Sequence, residues 1–413
     1  MAGKLPDSPL SNRGSFSLQH DLEALQRVLD AQAYEAAVFY AGRILEVLAS
    51  QAVEDLGIAS HATILSNLDL LEQYNLVPVA ARYAGHALRR LSNDARHVLR
   101  PLSASDAHLS RLFALLSIEW YFHSYLFGPH LPQPSGALPQ GSKGVPGGSA
   151  SAAAPFAPVS VIHELLSACA HADSSELSAR IEREPQLAQT PAIPAVLAEA
   201  MMDCGRLGDA KVMIDRALAR FANDTRLELL RGLQLSRSED LNGALGVLEP
   251  LYRRFRGDSE AAGILAGVYK RQWLKEGDAG WLKKSHDTYI DGWKASRETS
   301  AYLGTNAAAT ALWLGNAERS RELAAEVQKL VTERNARLAQ KIADPEASMG
   351  FWNAATMAEL RLLNGDVEGA REAYWKLFAR HAGKKGMIEV ARRQAELILG
   401  ERASGFFQER DGK

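Results

Sequence analysis

Phrases of one type recur along the C-terminal half of this 413-residue chain. Gly208–Leu218 reads GDAKVMIDRAL and Gly365–Phe378 reads GDVEGAREAYWKLF, with related phrases at Ser238–Phe255 and Gly315–Leu330. Each sets apolar residues at helical spacing, and each follows another apolar stretch of helix length. The first helices of these pairs begin near Pro191, Asp224, Asp258, Glu298 and Ala347, so the spacings are 33, 34, 40 and 49 residues. One helix pair cannot bury its apolar face alone. Stacked pairs at a period near 34 residues bury a continuous core, so a helical solenoid is expected over residues 159–400. Ala217, Ala244, Ala324 and Ala370 let neighbouring helices approach, and the two longer spacings require longer helices or loops.

Residues 128–158 read GPHLPQPSGALPQGSKGVPGGSASAAAPFAP, rich in proline and glycine and without a sustained period. Such a segment buries too little apolar surface to offset its ordering entropy, so it reads as a flexible linker. Ahead of it, residues 18–127 carry five amphipathic stretches with proline breaks at Pro78 and Pro101, and Asp106 is placed to cap the fifth. Alternating β-branched runs with Asn-Gly or Asp-Gly turns are absent. The expected fold is therefore all-α, a compact N-terminal bundle tethered to a C-terminal tetratricopeptide-like solenoid. A disordered N-terminus over 1–17 and a C-terminal tail over 401–413 complete the expected organisation.

Composition narrows the function classes. The formal net charge is -2, so there is no global basic footprint for nucleic acid, although a local patch stays open. The two cysteines, Cys169 and Cys204, cannot make a disulfide framework or a four-cysteine zinc site. The chain contains no phosphate-loop motif, no His-Glu-x-x-His and no Rossmann spacing around its glycine-rich segment, so neither a metal nor a cofactor is called for. The first 20 residues lack the apolar region of a secretory signal, and no uninterrupted apolar run reaches membrane-spanning length. A cytoplasmic protein with no membrane partner is expected.

In the bundle, Leu88–Pro101 reads LRRLSNDARHVLRP. Arg90 and His97 are two helical turns apart and share a face, with Asn93 on the same stripe. A guanidinium can hold a phosphate, and an imidazole can move a proton at a ribose hydroxyl or leaving oxygen. A solvated or dimer-facing polar stripe is the other reading of these three residues. The Arg-x6-His phrase, with Asn93 four before the histidine and an aromatic-ended helix after it, resembles HEPN domains of prokaryotic conflict systems. The resemblance implies a homodimer through the bundle. In nuclease members it implies metal-independent RNA cleavage, with Arg90 steadying phosphate, His97 as acid/base and Asn93 orienting the set. Leu91 departs from that pattern, since nuclease members usually carry a polar residue after the arginine.

In the solenoid, Ala261–Asn316 and Phe351–Asp366 concentrate aromatic residues beside basic and amide groups. Tyr302 and Asn306 are i, i+4 on one helix, and of the adjacent Lys270 and Arg271 one is expected to face the groove. Rings for stacking, cations for phosphate and an amide for a base edge suit a nucleotide; packing of repeat against repeat suits the same residues equally well. Tyr269-Lys270-Arg271 with Tyr302-x-Gly304-x-Asn306-Ala307-Ala308 resembles the specialised tetratricopeptide region of the apoptosis-signal-regulating kinases, called the TRAF-binding region, and its bacterial relatives in immunity operons. That resemblance implies a ligand-binding inner face lined by Lys270, Arg271, Tyr302, Asn306 and Trp352. It also implies a nucleotide-derived signal and an effector or sensor protein encoded nearby, of the TIR, SLOG or caspase-like class.

Together these readings lead to an antiviral sensor-adaptor whose repeats bind a signal or partner and control the HEPN-like bundle or a recruited effector. A signal-gated dimeric ribonuclease, with RNA as its partner, and a plain protein adaptor without a small ligand are the alternatives.

Overall fold

The computed structural model describes residues 18–61, 63–97, 101–129, 159–383 and 385–408. The expected disordered N-terminus and nearly all of the expected linker lie outside the described residues. Every regular element among the described residues is helical. In chain order they are α1 (Leu18–Asp30), α2 (Tyr34–Asp55), α3 (Ile64–Gln73), α4 (Val79–His97) and α5 (Ala104–Glu119), which runs into a π-helical turn at Trp120–Ser124. Next come α6 (Val159–Ala168), α7 (Ser174–Glu182), α8 (Pro185–Ala188), α9 (Ala192–Asp203) and α10 (Leu207–Arg220). The rest are α11 (Thr225–Arg237), α12 (Leu241–Arg254), α13 (Ser259–Glu276), α14 (Ala279–Ala295), α15 (Ala301–Trp313), α16 (Ala317–Leu338), α17 (Pro345–Ser348), α18 (Phe351–Leu363), α19 (Val367–Arg380) and α20 (Lys385–Leu399). The all-α expectation holds.

The chain divides into two compact units. One runs up to Leu71 and continues over Leu76–Ala222; the other takes Glu72–Asn75 and Asn223 onward. In the first, α2 is the central helix, packed on α1, α4 and α5. It has the length and apolar composition to cross a membrane, yet 61% of its apolar window is buried inside the protein. Its Gly42 sits directly under Ser92 of α4, where any Cβ would collide with the serine side chain. The end of α5 is locked by aromatic hydroxyl and indole groups. Trp120 Nε1 donates to the Leu76 carbonyl at 3.0 Å, Tyr121 Oη to Asp55 at 2.8 Å and Tyr125 Oη to the Ala52 carbonyl at 2.5 Å.

One sequence expectation is corrected here. Ser103, not Asp106, is the N-cap of α5. Asp106 sits three residues in, at N3, where its carboxylate accepts from the Ser103 backbone while Ser103 Oγ accepts from Asp106 N. This reciprocal capping box satisfies two N–H groups, whereas Asp106 as a lone cap would satisfy one. The second carboxylate oxygen of Asp106 accepts from Thr190 Oγ1 at 2.8 Å.

The second unit holds the helix pairs α11/α12, α13/α14, α15/α16 and α18/α19. Asp224 and Asp258 cap the first helices of two pairs by accepting backbone N–H bonds, and Asp240, Asn316 and Asp366 do so for second helices. Gly315 (φ 81°) and Gly365 (φ 83°) turn the chain between paired helices in a left-handed conformation that favours glycine. The long spacings expected late in the chain are realised as the 18-residue α13, the 22-residue α16 and the single turn α17. Leu241, Ala244, Leu248, Leu265, Val268 and Tyr269 form a dry core between the first two pairs. After α20, Phe406 is buried and, with Phe407, rests on Tyr374 of α19.

Candidate functional site

In the second unit, α15 packs on α14 and α18, and α20 packs on α15 and α18. This arrangement brings one side chain from each of four helices toward a common polar centre. Lys270 of α13 donates from Nζ to Asn306 Oδ1 of α15 at 2.8 Å and to Gln394 Oε1 of α20 at 3.5 Å. Asn306 is held in turn, its Nδ2 donating to the Tyr302 carbonyl one turn earlier at 2.9 Å. Glu359 of α18 supplies the fourth group. It is 8% exposed and is electrostatically tied to Lys270.

Burial dominates the titration of this pair. It pushes the Lys270 ammonium down, with Glu359 opposing and Arg271 adding to the shift. It pushes the Glu359 carboxyl up, with Lys270 opposing. Both ions lack full hydration, and each is the other's principal charge partner.

Two tyrosines stand beside the pair. Tyr289 of α14 is fully buried, and its ring lies 5.9 Å from Lys270 Nζ. Tyr302 meets it edge-on at 6.2 Å and is 47% exposed. An aromatic face next to an ammonium favours the charged form. Burial raises the pKa of both phenols, so both are neutral donors near pH 7.

The remaining expected residues are placed differently. Arg271, a step of about 100° around α13 from Lys270, donates to the Ser236 carbonyl of α11 and lies 3.9 Å from Glu239. Its charge still acts on Tyr289 and Tyr302. Trp352 is half exposed near the start of α18, edge-on to Phe351 at 5.1 Å. It lies two helical turns before Glu359 and so shares that face of α18. The other tryptophans of the region mostly serve packing. Trp273 stacks on Trp313 at 5.3 Å, Trp281 on Tyr269 at 5.9 Å, and Trp293 is buried.

Glu359, Tyr289 and Gln394 were not among the residues expected from sequence. Glu359 had a legible signal, an acid in the apolar stripe Ala355, Leu362 and Leu363 of its own helix. Gln394 had none, because α20 falls outside the repeat pattern.

Residues 208–312 match the Tetratricopeptide Repeats-Sensor family. The matched span covers about a quarter of the chain and contains Lys270, Arg271, Tyr302 and Asn306, while Trp352, Glu359 and Gln394 lie beyond it. The C-terminal part of the chain therefore contains a tetratricopeptide-like repeat region. Among solved structures, a thermophilic TPR protein of Thermus thermophilus is similar at 17% identity and a TM-score of 0.38, over 51% of this chain and 100% of that one. No curated protein sequence matches the chain.

The bundle stripe is arranged otherwise. Arg90, mostly buried on α4, pairs with Glu199 of α9 at 3.6 Å. Asn93 is half-buried, and Leu91 between them is a core residue. His97 is the last residue of α4, and its side chain lies outside the described structure. On the same side of α4, Arg82 and Tyr83 both bond Asp203 Oδ2, at 3.0 and 2.7 Å.

Proposed function

We propose that the second unit is a sensing domain whose Lys270–Asn306 site binds a small, nucleotide-derived anion. In this reading, occupancy biases the packing of α13, α15, α18 and α20, and so controls the HEPN-like bundle or a partner effector in prokaryotic antiviral defence. The single observation that carries it is the coordination of Lys270. Its hydrogen-bond partners are two side-chain amides, and no carboxylate is in ion-pair contact with it among the described residues. A partly buried ammonium neutralised at a distance retains attraction for an anion that reaches it. A population shift of this kind requires that the ligand bind one packing state more tightly than the other.

Titration calorimetry of the full chain with a panel of mono- and dinucleotides tests the reading. Binding by wild type that weakens about tenfold or more in Lys270→Ala and Asn306→Ala supports it. Equal binding in all three proteins, or no binding of any nucleotide, counts against it.

A protein-binding role is favoured by a separate observation, the half-exposed Trp352 on the Glu359 face of α18. Exposed tryptophans are enriched among binding hot spots. Loss of a captured partner in Trp352→Ala, with nucleotide binding intact, separates this adaptor reading from the first.

A further inference from the structure

A cavity of about 320 Å³ lies in the second unit between α16, α17 and α18. Met357 and Arg361, which line it, are each about 200° around α18 from Glu359, so it is a separate place from the Lys270 centre. Its floor is apolar, made by Val331, Met357 and Leu360, all buried. Its polar groups come from three elements. Asn335 stands on α16, Glu346 on α17 and Arg361 on α18. Arg361 Nη2 donates to Oε1 and Oε2 of Glu346 at 2.8 and 2.7 Å, which leaves its Nε and Nη1 uncommitted among the described residues. Asn335 Oδ1 accepts from Tyr74 Oη at 2.6 Å, so the amide nitrogen is the end it has to offer.

We infer that this cavity binds a free α-amino acid with an apolar side chain, its carboxylate on Arg361 and Asn335 and its ammonium on Glu346. The proposal is independent of the Lys270 reading. The lining carries one cation and one anion, already in contact. A simple anion would gain Arg361 but meet Glu346, and a simple cation would meet the reverse. A zwitterion lies across the pair and satisfies both charges. The pair need not break, because a guanidinium has five donors and a carboxylate about four lone-pair sites. The planar guanidinium suits a carboxylate in particular. The volume is at the small end of ligand sites, which run from about 300 to 1,000 Å³, so the ligand is compact. The floor then receives one apolar side chain, and its burial is expected to favour a leucine-sized group over hydrogen by about tenfold or more.

Calorimetry on the full chain tests the proposal, with L-leucine, L-methionine and L-phenylalanine as probes. At least one is expected to bind wild type. Three relatives of that probe each remove one feature: the N-acetyl derivative the ammonium, the amide the carboxylate, and glycine the side chain. Each is expected to bind about tenfold or more weakly. Arg361→Lys keeps the charge opposite Glu346 but loses the planar donor set, and it is expected to weaken binding by about tenfold or more. Glu346→Gln is expected to abolish the preference for the free amine over the N-acetyl form. Both side chains are partly exposed, and thermal unfolding verifies that each variant is folded. The wild-type comparison of probes decides the matter even if a variant does not fold. Failure of all three amino acids to bind overturns the proposal. So does an N-acetyl form that binds as tightly as the free amino acid, or binding that is unchanged in both folded variants.

Discussion

Lys270 Nζ and Asn306 Oδ1 meet at 2.8 Å across α13 and α15, 36 residues apart and therefore one repeat apart. The contact ties consecutive first helices together through a charge-assisted hydrogen bond in a poorly hydrated place. Asn306 is 3% exposed, so its removal leaves the ammonium without its nearest acceptor. Asn306→Ala is expected to lower stability by about 1–3 kcal/mol, the range for orphaning one partner of a buried bond. Chemical denaturation with an unchanged m-value checks it.

The same centre sets a pH dependence. Glu359 rises from 4.5 to about 7 on folding, so between those values the folded protein holds more protons than the unfolded chain. Stability from this group therefore falls as pH increases across that window. Lys270 drops from 10.5 to about 8, so between those values the unfolded chain holds more protons, and stability recovers as pH increases. The pair is least favourable between the two windows. Glu359→Gln is expected to flatten the acid-side slope of melting temperature against pH. Tyr289 and Tyr302 stand beside the same centre, and burial moves both phenols further above that acid window. An unchanged slope in the variant would locate it in other carboxylates.

Much of this was legible in the chain. The 33- and 34-residue spacings located the α11 and α13 caps at Asp224 and Asp258, because helix pairs of ordinary length repeat with little freedom. Lys270 and Asn306 were expected on one inner face through resemblance alone, and their direct contact comes from the packing of α13 and α15. What was not legible depends on packing between elements that no local period specifies. Arg271 turned to α11 because adjacent residues on a helix point apart. Gln394 enters from a helix that belongs to no repeat, and Glu359 reads as an ordinary acid until its burial is known. The capping of α5 was misassigned by three residues because both Ser103 and Asp106 are good caps, and only the reciprocal bond decides between them.

Gly304 is expected to tolerate nothing larger. A Cβ there would run into Val327 of α16 and lie 3.1 Å from the Trp293 ring of α14, so three helices converge on the missing side chain. Trp293 is buried and cannot swing into solvent. Gly304→Ala gains helix propensity but overpacks this junction, and the net effect expected is a loss of about 1–3 kcal/mol. A fall in melting temperature of the full chain checks it. A rise would mean that α15 shifts freely against its neighbours.

In the first unit, Arg90 is the residue on which an RNA-cleaving reading of the bundle turns, and Glu199 holds its guanidinium at 3.6 Å. A phosphate would have to compete with that carboxylate for the same donors. The separation is long for a hydrogen-bonded pair and both side chains keep some solvent contact, so the pair itself is expected to be weak. A double-mutant cycle on Arg90→Ala and Glu199→Ala is expected to give a coupling below about 1 kcal/mol. The same proteins then decide the role. RNA cleavage by wild type that is lost in Arg90→Ala and His97→Ala, and increased in Glu199→Ala, assigns Arg90 to phosphate with Glu199 as its competitor. Absence of cleavage throughout, with the small coupling intact, assigns Arg90 to the α4–α9 seam alongside the stronger Arg82–Asp203 and Tyr83–Asp203 contacts.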